Sequence, residues 1–194
     1  LRIIEKEVKK FKTPVVEDVG GNSFGILISA MLSARTRDEV TDKVCRKLFK
    51  KVKNFKDFGK LSVKEIERLI YSVGFYKNKA RYLKRLSKLG KVPDSFEELI
   101  KVDGVGRKTA NLVLSVGFGK DVICVDVHTH RIPNRWGLIK TRNVYETEIE
   151  LMKRLDKKYW KIINRLLVAY GQNVFKPVKP LCGECKIRSY CKIS

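Results

Sequence analysis

Read for the alternation of apolar and polar positions, the chain is helical almost throughout. The run FGILISAMLSA is apolar nearly all round, which predicts a helix buried on every side and capped by Ser23. RDEVTDKVCRKLFKKV sets Val40, Val44, Leu48 and Val52 at i, i+4 spacing with lysines opposite, the pattern of a half-buried helix. LSVKEIERLIYSVG opens with a capping box, Ser62 to Glu65, and ends at Gly74; VPDSFEELIKVDG repeats the device from Ser95 to Glu98 and ends at Gly104. YKNKARYLKRLSKLG is basic and amphipathic and closes at Gly90. RKTANLVLSVGFG, VYETEIELMKRL and YWKIINRLLVAYG supply further helices. The only β-like stretch, DVICVDVH, reads equally well as a buried connection. The prediction is an all-α fold of about nine or ten helices joined by short turns, without repeats or a flexible tether. If there are two lobes, they share an interface.

Charge narrows the partner. The 194 residues include 43 Lys and Arg against 21 Asp and Glu, a net charge of +22. That excess of one sign is spread along the whole chain and exceeds what solubility requires. A lysine-rich thermophile surface accounts for many charges but not for the imbalance, so a polyanion, nucleic acid, is the expected partner. No stretch is long and apolar enough to span a membrane, and no signal peptide is visible, although the chain begins at Leu1. The five cysteines, Cys45, Cys124, Cys182, Cys185 and Cys191, are odd in number, with three clustered near the end. That usage fits a reducing cytoplasm and a metal site better than a secreted disulfide framework.

The segment SFEELIKVDGVGRKTANLVLSV reads as a helix, a tight Gly-Val-Gly hairpin and a second helix. Glycine permits positive φ and leaves backbone N–H groups uncovered, and the first N–H groups of a helix have no partner within it. Gly104, Val105, Gly106, Arg107 and Thr109 are therefore a candidate phosphate grip of the helix-hairpin-helix kind; a plain pair of antiparallel helices is the alternative. Lys108 falls in the first turn of the second helix, where the dipole and Arg107 both disfavour its charge and partial burial would add to the effect. An amine deprotonated in this way can form a Schiff base. A second phosphate contact is the other reading of Lys108. In CVDVHTHRIPNRWG, Asp126 sits between Val125 and Val127. It can cap the following helix, act as a base, or stabilise positive charge developing on a sugar. An amine and a carboxylate beside a DNA grip suit cleavage of an N-glycosidic bond followed by lyase chemistry.

Five segments, in order over nearly the whole chain, resemble the endonuclease III family of helix-hairpin-helix DNA glycosylases: ILISAMLSARTRDEVT, VGFYKNKA, VDGVGRKTANLVLSVGFG, VDVHTHRIPNRWG and CGECKIRSYC. The resemblance implies a six-helix barrel carrying the hairpin over residues 15–120. It implies a second helical lobe made of residues 1–14 and 121–194, with DNA in the cleft between them. It implies that Lys108 attacks C1′ of a damaged nucleoside, that Asp126 assists, and that β-elimination then nicks the strand. Arg35 and Phe75 stand where the family carries the residues that fill the gap left by a flipped base; glutamine is more usual at Arg35, and a core aromatic is the other reading of Phe75. The adenine-mismatch branch has glutamate where Ala30 stands and lacks the lysine, and the thymine-mismatch branch has tyrosine in place of Lys108. The implied activity is therefore a bifunctional DNA glycosylase and AP lyase of base excision repair acting on oxidised pyrimidines. A non-catalytic helix-hairpin-helix module and a monofunctional uracil or thymine mismatch glycosylase are the alternatives. Asp103, where the family has proline, is expected to weaken the phosphate grip.

The family's iron–sulfur loop is Cys-x6-Cys-x2-Cys-x5-Cys. In FKPVKPLCGECKIRSYC, Cys182, Cys185 and Cys191 keep the last two spacings, but the first position is Phe175. Three thiolates could hold a three-iron cluster, a four-iron cluster with an outside ligand, zinc with a water, or no metal. Lys179 and its basic neighbours in residues 175–191 are candidate phosphate contacts. No nucleotide cofactor is implied. The expected setting is a monomer on double-stranded DNA in the cytoplasm of a prokaryote, possible thermophily included.

Overall fold

The structure is a computed structural model that describes residues 1–11 and 15–192. Among the described residues there are twelve α-helices and no strand: α1 Arg2–Val8, α2 Val15–Gly20, α3 Ser23–Ser33, α4 Asp38–Lys51, α5 Phe55–Lys60, α6 Val63–Ile70, α7 Tyr76–Arg85, α8 Phe96–Leu99, α9 Arg107–Leu112, α10 Val127–Trp136, α11 Val144–Arg154 and α12 Ile163–Asn173. The count exceeds the nine or ten helices expected. α1, α2 and α5 have only six or seven residues, too short to show a helical period in the sequence. The segment around Ile123, Cys124 and Val125 is a buried connection, not a strand. None of the helices is long and apolar enough to cross a membrane, among the described residues.

Two compact units make up the chain, Val15–Lys120 and the pair Leu1–Pro14 with Asp121–Ser194. The first is organised around α3. Gly25 through Leu32 are all buried, as an apolar run without a polar face demands. Its N-cap is Asn22, whose side chain accepts the Gly25 N–H at 2.9 Å, so Ser23 is the first helical residue instead of the cap. α2, α4, α7 and α9 pack on α3. On α4 and at its C-cap, Val44, Leu48 and Val52 are buried as the i, i+4 spacing foretells, but Val40 is only half-buried and Thr41 and Cys45 complete the inward face. The Ser62–Glu65 capping box is formed in both directions and starts α6. Ser95 caps α8 through the Glu98 N–H.

In the second unit, α1 and α10 pack on α12. Ile4, Ile123, Ile132, Leu167, Tyr170 and Phe175 belong to one buried cluster there. Its apolar positions come from both chain ends, so this core cannot close until the intervening 106 or so residues have been threaded.

Candidate functional site

The hairpin is built as its glycines require, though the two glycines do different work. The Val105 N–H donates to the Val102 carbonyl at 3.0 Å, closing a four-residue turn. Gly104 sits at its third position with φ +81, and a β-carbon there would stand 2.5 Å from the Tyr82 ring. Glycine is thus needed twice, for conformation and for space. Gly106 is different. It is the N-cap of α9 with φ −98 and ψ 177, extended backbone open to any residue, and nothing lies within 4 Å of where its β-carbon would be. Nothing in this chain explains why position 106 lacks a side chain, and the residue is exposed. The helix it opens begins at Arg107, directly after this exposed glycine.

Arg107 and Lys108 are the first two residues of α9. The Arg107 guanidinium lies 4.9 Å from the centroid of the Phe96 ring, a cation–π contact that ties the second helix of the hairpin to the first. Lys108 is exposed, so burial does not add to the effects of the dipole and Arg107. Val105 is buried and anchors the turn, and Thr109 is half-buried. Asp103 does not leave a bare negative charge beside the hairpin: the Arg85 guanidinium donates to its carboxylate at 2.7 Å. The expected weakening of the grip is offset in this way by an arginine from α7.

Arg35 and Phe75 are brought together. The guanidinium lies 5.3 Å from the Phe75 ring centroid, and Phe75 is 58% exposed, which rules out the core-aromatic reading. With Met31, Lys79, Tyr82 and Gly104 they line one pocket of about 280 Å³. The pair and the hairpin turn thus share one surface of the Val15–Lys120 unit. Sequence reasoning missed Lys79 in this pocket. Its side chain is buried, and burial pulls its ammonium down to about 8. The available signal was its spacing: Lys79, Ala80 and Leu83 form the buried stripe of α7, an unusual place for a lysine.

Asp126 lies in the other unit. It is half-buried, and Val127 beside it is 73% exposed, so the apolar setting inferred from its neighbours holds only on the Val125 side. Its Oδ1 accepts the Thr129 N–H at 2.8 Å and caps α10. The capping role is therefore real, and it leaves the second oxygen of the carboxylate for other work. Lys179 is exposed on the loop after α12.

The cysteine loop offers three thiolates where a full four-iron cluster takes four from its protein. Phe175 is 5% exposed, packed edge-on against Trp136 at 6.1 Å, with its carbonyl accepting from Arg131 at 2.7 Å. Cys185 Sγ lies 3.1 Å from the Tyr170 hydroxyl, Cys191 Sγ is directed at the Arg135 carbonyl at 3.9 Å, and Cys182 is exposed. Burial and the neighbouring Cys185 sulfur push the Tyr170 phenol upward. The three cysteines line a small cavity of about 50 Å³ together with Val174, Phe175 and Leu181. Among the described residues no group of three or more His, Cys, Asp or Glu side chains could hold a metal ion. Among the described residues, the buried polar side-chain atoms without a hydrogen-bond partner are Arg131 Nη1 and Trp136 Nε1, N–H donors that cannot ligate iron. Phe175, at the position where the family's first cluster cysteine would stand, is thus a buried core residue that supplies no thiolate beside Cys182, Cys185 and Cys191.

A helical fold with a glycine hairpin opening a basic helix defines a helix-hairpin-helix protein. The sequence profile described as the HhH-GPD superfamily base excision DNA repair protein matches residues 28–161. The endonuclease III of Thermotoga maritima is 45% identical over 175 residues, covering 87% of this chain and 82% of that protein. The endonuclease III of Bacillus subtilis is 37% identical over 183 residues, covering 91% and 84%. A solved endonuclease III trapped as a covalent intermediate with DNA superposes with a TM-score of 0.90 at 34% identity, over 99% of this chain and 92% of that one. A thermostable thymine-DNA glycosylase shares the fold at 24% identity and a TM-score of 0.76. The chain belongs to the endonuclease III family within the HhH-GPD superfamily of base excision DNA repair proteins.

Proposed function

We propose that the chain is a DNA glycosylase with AP lyase activity that removes oxidised pyrimidines from double-stranded DNA. The observation that carries this reading is the hairpin: an exposed glycine with ordinary backbone angles and empty space above it, immediately before a helix that opens with Arg107 and Lys108. A phosphate approaching the Gly106 backbone supplies the reason for the missing side chain. Gly104, Val105, Gly106, Arg107 and Thr109 then grip the strand, and Lys179 adds a contact from the cysteine loop. The Lys108 Nζ attacks C1′ of the damaged nucleoside as the C1′–N bond breaks and the base leaves with its electron pair. Asp126 supports the positive charge that develops on the sugar. The C1′–O4′ bond of the sugar then opens, with the amine proton passing to O4′, and the Schiff base so formed loses a C2′ proton as the C3′–O bond breaks and the 3′ phosphate leaves, nicking the strand 3′ to the lesion. Arg35 and Phe75 fill the gap left by the flipped nucleotide.

Borohydride reduction on duplexes carrying thymine glycol or an abasic site tests this reading. The parent protein should become covalently trapped and Lys108→Gln should not, while retaining most of its DNA affinity. Base release without trapping would instead identify a monofunctional glycosylase, and binding without release or nicking a non-catalytic module.

A further inference from the structure

Two loops of the Val15–Lys120 unit hold a non-glycine residue in the left-handed region: Arg35 with φ 54 just after α3, and Phe75 with φ 59 just before α7. Residues with a β-carbon avoid this region, and they persist in it only where their surroundings over-determine the backbone. The two strained residues face each other, with the guanidinium 5.3 Å from the ring centroid. Both side chains are exposed, so neither packs into the core to hold itself in place.

What holds them lies underneath. Lys79 is 7% exposed, and its Nζ donates to the Leu32 carbonyl at 2.7 Å, the Ala34 carbonyl at 2.6 Å and Thr36 Oγ1 at 3.3 Å. The carbonyls at the end of α3 have no partner within the helix and carry the negative end of its dipole, which suits an ammonium. Thr36 passes the connection on: its Oγ1 accepts the Gly74 N–H at 3.1 Å. A β-carbon at Gly74 would stand 2.4 Å from the Arg35 carbonyl oxygen, so the two loops touch backbone to backbone. Lys79 also closes the first bond of α7, its N–H donating to the Phe75 carbonyl at 3.1 Å. One side chain therefore grips the loop carrying Arg35 while its own backbone holds the residue carrying the ring.

This bonding also separates Lys79 from the chemistry. An ammonium has three protons, and three acceptors are in place for them. Burial lowers it to about 8, with the buried Cys45 thiol on α4 acting in the opposite direction, yet no lone pair is presented to the pocket. Lys79 is not a second amine for Schiff-base formation.

We infer that Lys79 is a positioning residue, the latch that holds Arg35 and Phe75 pre-assembled as one exposed unit for insertion into the DNA stack. The inference rests on the proposed reading that this pair fills the gap left by a flipped base. A preformed wedge meets the duplex already ordered, so little ordering remains to oppose insertion.

The test compares two substrates. A thymine glycol paired within a duplex needs the wedge, whereas an abasic site in single-stranded DNA needs only the amine of Lys108. Lys79→Met, and independently Gly74→Ala, should slow single-turnover excision from the duplex by about ten- to a hundredfold while changing single-strand β-elimination by less than about twofold. In a Phe75→Ala background, Lys79→Met should add little further loss on the duplex, because the group it positions is already gone. Equal losses on both substrates, or additive losses in the double variant, would overturn the inference. Gly74→Ala strains the same contact without touching the buried lysine, so it decides the matter if Lys79→Met does not fold. Fluorescence of 2-aminopurine beside the lesion reads stack disruption without any cleavage. A parent that unstacks the base but never cleaves refutes the glycosylase reading alone; unchanged unstacking in both variants refutes the latch alone.

Discussion

The Tyr82 ring stands against Gly104, with its Cδ2 atom 2.5 Å from where a β-carbon on that glycine would be, whereas Gly106, two residues on, faces empty space. The two hairpin glycines are thereby assigned to different tasks, one to folding and one to contact. Gly104→Ala forces a side chain into positive φ and into the tyrosine, at a cost of about 1–3 kcal/mol. Gly106→Ala changes an N-cap at ordinary angles and should cost less than about 1 kcal/mol. Yet it should weaken duplex binding, because the methyl group occupies the room a phosphate would use. Thermal melts and titrations at one fixed salt concentration check both halves. Undiminished affinity in Gly106→Ala would mean that no phosphate approaches this backbone.

The Arg85–Asp103 ion pair bears on the same surface. Both partners are largely exposed, so its contribution to folding is small. Its effect should appear in binding. Arg85→Ala leaves the Asp103 carboxylate unscreened beside the hairpin and should lower DNA affinity. Asp103→Asn frees the arginine and should raise affinity, with the slope of log K against log salt steeper by about one. A salt series on the three proteins measures this. Identical slopes would place the pair outside the footprint of the DNA.

Much of this was legible in the sequence, and what was not has definite physical causes. The apolar run of α3, the Ser62 and Ser95 caps and the glycine hairpin are local signals, and each is found where it was expected; on α4 the expected stripe holds at Val44, Leu48 and Val52 but not at Val40. α1, α2 and α5 escaped because six or seven residues hold too few turns to display a period. The cap of α3 was assigned to Ser23 because serine and asparagine are adjacent there and equally good caps, and only the accepted Gly25 N–H decides for Asn22. The Arg85–Asp103 pair and the Lys79 bonds join residues 18 and more than 40 positions apart. No pattern along the chain announces contacts of that kind. The apolar setting read for Asp126 from Val125 and Val127 holds only on one side, because Val127 leaves its helix on the exposed side.

Asp126 combines a demonstrable cap with a proposed catalytic role, and substitution can separate the two. Asparagine caps a helix about as well as aspartate but carries no charge. Asp126→Asn should therefore melt within about 0.5 kcal/mol of the parent while losing base release, and Asp126→Ala should lose about 1 kcal/mol in addition. Because a preformed abasic site needs no base to depart, strand nicking there should survive better than excision in Asp126→Asn. Chemical denaturation and paired excision and nicking assays read the two roles. Full base release by Asp126→Asn would reduce the residue to its cap.

Phe175 sets the expectation for the cysteine loop. The ring is buried against Trp136 and beneath the Arg131 guanidinium, 5.5 Å from its centroid, as a core residue would be. If the loop is held by this packing and by the bonds from Arg131 to Phe175 and from Arg135 to Pro177, metal removal should not disturb it. Anaerobically purified protein should contain well below the about four irons per chain of an intact cluster, and chelation should leave the melting temperature unchanged. Replacing Cys182, Cys185 and Cys191 together by serine should be mild, since one is exposed and two are only half-buried. Phe175→Ala, by contrast, should cost about 3–5 kcal/mol, the range for emptying a buried aromatic site. Iron analysis beside the four melts decides between the alternatives. A stoichiometric cluster, with stability lost in the serine variant and on chelation, would show that metal and not the phenylalanine holds the loop together.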